Sequence, residues 1–86
     1  MTLYIENLPV GVGPADLIAL FARYGSVTAA TVWTDPDASP GYRVGFIDLV
    51  GGWRAAVLGL DGHEYRGRML VVGETDLRNE TGLTPV

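Results

Sequence analysis

Cysteine and lysine are both absent from the 86 residues, and histidine occurs once. Without thiols there is no disulfide framework, no thiolate metal site and no cysteine nucleophile, and the composition suits a reducing, cytoplasmic setting. His63, the single histidine, has no second histidine or cysteine to complete a metal or nucleophile set, so an exposed turn residue is expected there. No stretch approaches the roughly 20 apolar residues of a membrane span, and Met1-Thr2-Leu3-Tyr4 lacks the basic segment and apolar run of a secretory signal. A soluble chain without a membrane partner is the expectation. Positive charge is scarce: six arginines face ten acidic residues, a net charge of -4 that gives a polyanion little long-range attraction.

What is present is apolar material in short periodic runs. Hydrophobic residues make up 48% of the chain, enough at this length for one core and too little for two. Leu3 to Leu8 alternates, with Tyr4 on the polar side between Thr2 and Glu6, and reads as a strand. Pro14 suits the first position of a helix, where its missing donor costs nothing; Leu17, Leu20, Phe21 and Tyr24 form the apolar stripe, and Gly25 ends it. Val27 to Thr34, rich in Val, Thr and Trp, reads as a second strand that stops at the turn residues 35–41. From Tyr42 to Leu49 the period is two again, with Tyr42, Val44, Phe46 and Asp48 on one face and Gly45, Ile47 and Leu49 on the other. Trp53, Ala56, Val57 and Leu60 repeat the helical spacing up to Asp61-Gly62. Met69 to Val72 reads as a fourth strand, with Leu70 and Val72 on one side.

The order strand, helix, strand, strand, helix, strand predicts an α+β domain over residues 1–75. Its architecture is the ferredoxin-like βαββαβ sandwich, a four-stranded antiparallel sheet with both helices on one face. Residues 76–86 are polar and aperiodic and are expected to form a flexible tail. The helices leave the other sheet face open, and since this topology serves many unrelated activities, the residues on that face must decide the function.

Two segments carry a family resemblance. Leu3-Tyr4-Ile5-Glu6-Asn7-Leu8 fits the hexamer aliphatic, aromatic, aliphatic, variable, Asn, Leu at every position. Tyr42-Arg43-Val44-Gly45-Phe46-Ile47-Asp48-Leu49 aligns with an octamer that runs basic, Gly, aromatic, small, aromatic, aliphatic, variable, aromatic. Gly45, Phe46 and Ile47 fit it, whereas Tyr42, Arg43 and Val44 depart from it. On these segments the chain resembles the RNA-recognition-motif family, and its spacing is similar to that of small single-domain RNA-binding proteins of bacteria. Tyr24-Gly25, Leu60-Asp61-Gly62 and Gly67-Arg68 extend the likeness to about residues 2 to 74.

The resemblance implies a non-enzymatic module that holds short single-stranded RNA on the open face. Unpaired bases stack on aromatic rings, worth roughly 1 to 3 kcal/mol per base, and single-stranded DNA stacks by the same physics. Tyr4 and Phe46 are the implied platforms, with Trp33 a candidate for a third base. Arg43 is the candidate for the phosphate contact that the first octamer position usually supplies in the family, although alternation turns its side chain the other way. Tyr42, Val44 and Met69 complete the candidate surface, and Thr31 and Val71 join it. Because several of these are apolar, a protein contact or homodimer through the same face is the competing reading. Trp53, on the apolar stripe of its helix, is assigned to the core.

Other motifs lead nowhere. Asp35-Pro36-Asp37-Ala38-Ser39 opens like a calcium loop, but Pro40 stands where that loop needs Gly and Phe46 where it needs Glu. Gly11-Val12-Gly13-Pro14-Ala15-Asp16 lacks the third glycine of a dinucleotide fingerprint. Asn79-Glu80-Thr81 matches a glycosylation acceptor, which has no meaning without secretion. No catalytic set, metal or cofactor is expected, and the acylphosphatase-like enzymes of this topology are disfavoured because their phosphate loop is missing.

Overall fold

A computed structural model describes residues 1–34 and 43–75. The elements run β1 (Thr2–Leu8), α1 (Pro14–Phe21), β2 (Ser26–Thr34), β3 (Arg43–Val50), α2 (Trp53–Leu60), β4 (Glu64–Tyr65), β5 (Arg68–Met69) and β6 (Val71–Thr75). Four of the strands form an antiparallel sheet in the order β2-β3-β1-β6, with β1 and β3 in the centre, and β4 and β5 pair separately as a small hairpin. This is the ferredoxin-like βαββαβ fold. Tyr42, the turn at 35–41 and the tail at 76–86 lie outside the described residues.

Alternation does most of the work. Leu3 and Ile5 of β1, Ile47 and Leu49 of β3, and Val72 of β6 point to one side and are buried under Leu17 and Phe21 of α1 and Ala56 and Leu60 of α2. Each large side chain so buried contributes about 1.5 to 3 kcal/mol. Gly45 sits where α1 presses on the sheet, since a Cβ there would lie 2.6 Å from Leu17 Cδ1 and 3.1 Å from Leu8 Cδ1.

α1 starts as expected, with Pro14 at its first position. The Asp16 carboxylate accepts the Gly13 N–H at 2.9 Å, which draws its pKa below the ordinary value, and the Arg66 guanidinium 3.2 Å away adds to this. The helix stops at Phe21, so Tyr24 lies beyond it while still packing on the core. Gly52, at φ 67°, precedes α2 where a Cβ would collide with the Tyr24 carbonyl oxygen. Trp53 packs partly buried against the core under the Arg54 guanidinium, 5.1 Å from its ring.

The chain after α2 departs from expectation. The fourth strand of the sheet begins at Val71 and runs to Thr75, and Met69 belongs to the preceding hairpin, paired with Glu64. Arg66 and Gly67, both at positive φ, make its two-residue turn, the backbone pattern of a primed hairpin turn. Leu70 and Val72 are both buried, as the alternation requires.

Candidate functional site

The face of the sheet away from the helices is built by pairing register. Tyr4 of β1 stands opposite Phe46 of β3 on one side and Gly73 of β6 on the other, and Phe46 stands opposite Thr31 of β2. Antiparallel partners share a face, so Thr31, Phe46, Tyr4 and Gly73 form one row across the sheet. One step along lies a second row of Trp33, Val44, Glu6 and Val71. A third row holds Ala29, Asp48, Thr2 and Thr75. Tyr4, Phe46, Trp33 and Val44 are all half-buried, partly open to solvent with no helix above them.

The first row explains how a ring at position 4 can lie down. A Cβ on Gly73 would be 2.8 Å from the Tyr4 hydroxyl oxygen and 2.9 Å from Cε2 and Cζ. The Tyr4 ring therefore rests on the bare backbone of β6, with Phe46 on the strand at its other side. A glycine in a strand interior weakens the strand but permits such close approach.

Asn7 closes the end of β1. It takes φ 67°, which Asn tolerates better than most residues, at an irregularity in the β1 to β3 pairing between Ile5 and Leu8. Its Nδ2 donates to the Met69 carbonyl at 2.9 Å, and its Oδ1 accepts from Arg68 Nη2 at 3.2 Å. The side chain thus ties β1 to β5, and the turned backbone returns Leu8 to the core.

Arg43 does not join the open face. It pairs with Leu8 and Thr34, and its Nη1 donates to the Val12 carbonyl at 3.2 Å, on the side where the chain approaches α1. A residue of this parity belongs to the helix side, which is why alternation overrides its place in the octamer. Met69 is 61% exposed, yet as part of the hairpin it flanks the four-stranded sheet without lying in it. Tyr42 lies outside the described residues. Tyr4, Phe46, Trp33 and Val44 come together as the alternation requires.

The rows contain no basic side chain among the described residues. Their charges are Glu6 and Asp48, and Asp48 Oδ1 accepts the Thr2 hydroxyl. The arginines go elsewhere: Arg66 to Asp16, Arg68 to Asn7, Arg54 over Trp53 and Arg23 over Tyr24 at 5.9 Å. Among the described residues no three His, Asp or Glu side chains converge as a metal site. No helix among them is long and apolar enough to cross a membrane.

Comparison with known proteins gives a consistent picture. The family model described as RNA recognition motif matches residues 3–71. A cyanobacterial protein of Synechocystis sp. (strain ATCC 27184 / PCC 6803 / Kazusa), named "Putative RNA-binding protein RbpA", is 39% identical over 85 residues, covering 95% of this chain and 84% of its own length. From Nostoc sp. (strain PCC 7120 / SAG 25.82 / UTEX 2576), "Putative RNA-binding protein RbpE" is 36% identical over 84 residues, with 95% of this chain and 85% of the relative covered. Among solved structures, the crystal structure of RNA Binding Protein PG1 superposes with a TM-score of 0.75 at 37% identity, covering 87% of this chain and 93% of that one.

Proposed function

The chain belongs to the RNA recognition motif family, and from that premise we propose that it binds short single-stranded RNA across the open face of its sheet by stacking bases on Tyr4 and Phe46. The observation that carries this reading is the register: the two rings are direct partners on the central strands, on the side no helix covers. Neighbouring strands lie about 4.8 Å apart, so consecutive unstacked bases can settle on adjacent rings. Trp33, in the next row on the edge strand β2, offers a third ring, with Val44 beside it as apolar contact surface. The relatives named as RNA-binding proteins support the same ligand class.

Stacking is tolerant of base identity and of sugar, so single-stranded DNA is an alternative ligand on the same rings. The module acts by binding, with no catalytic step, in the cytoplasm. A second reading has its own observation: Val71, in the same row as Val44, is 42% exposed, and Met69 in the flanking hairpin is 61% exposed, apolar surface suited to a protein or a second copy. The two readings part on substitution. Replacing Tyr4 or Phe46 by Ala should weaken binding of a short single-stranded RNA about 5- to 150-fold each, the loss of one stacked base, while leaving the fold intact. Unchanged RNA affinity in both variants would refute the assignment, and a mass that rises with concentration in sedimentation would turn it toward self-association.

A further inference from the structure

Glu6 occupies a place in the binding face that the stacking account leaves unused. It pairs in register with Val71, and with Asn7 it faces Val44 across the β1 irregularity, so an exposed carboxylate stands between two apolar side chains. Among the described residues it has neither a hydrogen-bond donor nor a cation as partner, unlike Asp48, which the Thr2 hydroxyl engages. A carboxylate there repels phosphate and accepts only donors, which in RNA are the N–H groups of base edges and the ribose hydroxyls, and only the base edges differ from one nucleotide to the next.

Resting on the RNA-binding reading, we propose that Glu6 selects guanine for the base stacked on Tyr4. Two residues along a strand span about 6.6 Å, so a purine lying on the Tyr4 ring brings its edge within reach of the Glu6 side chain. The Tyr4 ring leans over Gly73 of β6, toward the same flank on which Glu6 meets Val71. Guanine alone presents two adjacent parallel donors, N1–H and N2–H, which match the two oxygens of one carboxylate. Adenine and cytosine each set a ring acceptor beside their amino group, and the single N–H of uracil lies between two carbonyls, so each gives the carboxylate at most one hydrogen bond and none the bidentate pair. A bidentate pair to an ionised carboxylate is among the stronger hydrogen-bond arrangements, which is what lets an exposed Glu6 discriminate between bases.

The test is a binding series of five pentaribonucleotides, UUXUU with X as G, inosine, A, C or U, measured against the parent chain, Glu6→Gln and Tyr4→Ala. Inosine keeps N1–H and lacks the N2 amino group. The expected result is a preference for G of about tenfold over U and a smaller one for inosine, both abolished in Glu6→Gln. Tyr4→Ala should weaken every member of the series. Equal affinities across the parent's series, or a G preference that persists in Glu6→Gln, overturn the assignment while RNA binding stands. Failure of all five RNAs to bind the parent overturns the RNA-binding reading and the selection with it.

Discussion

The seat of the Tyr4 ring depends on a residue without a side chain. Gly73→Ala would place a methyl group inside the van der Waals envelope of the Tyr4 ring, which would have to lift off β6. Because alanine is a better strand residue than glycine, stability should hold or rise while RNA affinity falls about fivefold, part of the worth of one stacked base. In a Tyr4→Ala background the same substitution should change nothing further, and an additive loss in the double variant would show that Gly73 acts by another route. Legibility at this scale follows side-chain parity. Alternation puts Tyr4 outward and Val44 and Phe46 on one face, the family resemblance joins Trp33 to them, and the octamer pattern draws Arg43 toward RNA against its own parity. Gly73 is not legible in this way, because the apolar run ends at Val72 and the glycine that seats the ring stands just past it.

At the scale of elements, the join of β1 to the hairpin rests on Asn7. Its left-handed backbone and its two side-chain bonds to β5 make two separable demands. Asn7→Ala fails both and should cost roughly 1 to 3 kcal/mol. Asn7→Gly meets the backbone demand and should cost less. Urea denaturation midpoints that rank Gly below Ala would contradict the backbone argument. The two helices and the strands β1 and β3 are legible because each carries its own period over six to eight residues, and β2 because Val, Thr and Trp crowd a segment bounded by turn residues. The β4 to β5 hairpin was not, for its strands have two residues each and Tyr65-Arg66-Gly67-Arg68 offers only one of the usual turn residues. The start of the last strand was misplaced for the same reason, since Met69 to Val72 is a continuous apolar run across a real break at Leu70. The end of α1 is hidden in the same way, because Tyr24 completes the apolar spacing from beyond the helix.

For the whole molecule, charge and fold pull in different directions. On the proposed reading, a net charge of -4 and an open face without basic side chains among the described residues leave stacking as the main source of affinity. With no more than about two phosphates neutralised, the logarithm of affinity should fall with the logarithm of salt at a slope no steeper than about -1.4. A titration series between low and moderate salt checks this, and a slope near -4 would mean that arginines outside the sheet carry the interaction. The architecture itself was legible because local periods, turn residues and the order of elements agree on one fold. The measurement that tests the central claim most directly is a titration of isotope-labelled protein with short single-stranded RNA, following amide and aromatic resonances throughout the chain. Shifts concentrated on Tyr4, Phe46, Trp33, Glu6 and their strand partners are predicted, with α1 and α2 quiet. Shifts on the helices, or none at saturating RNA, would contradict the account.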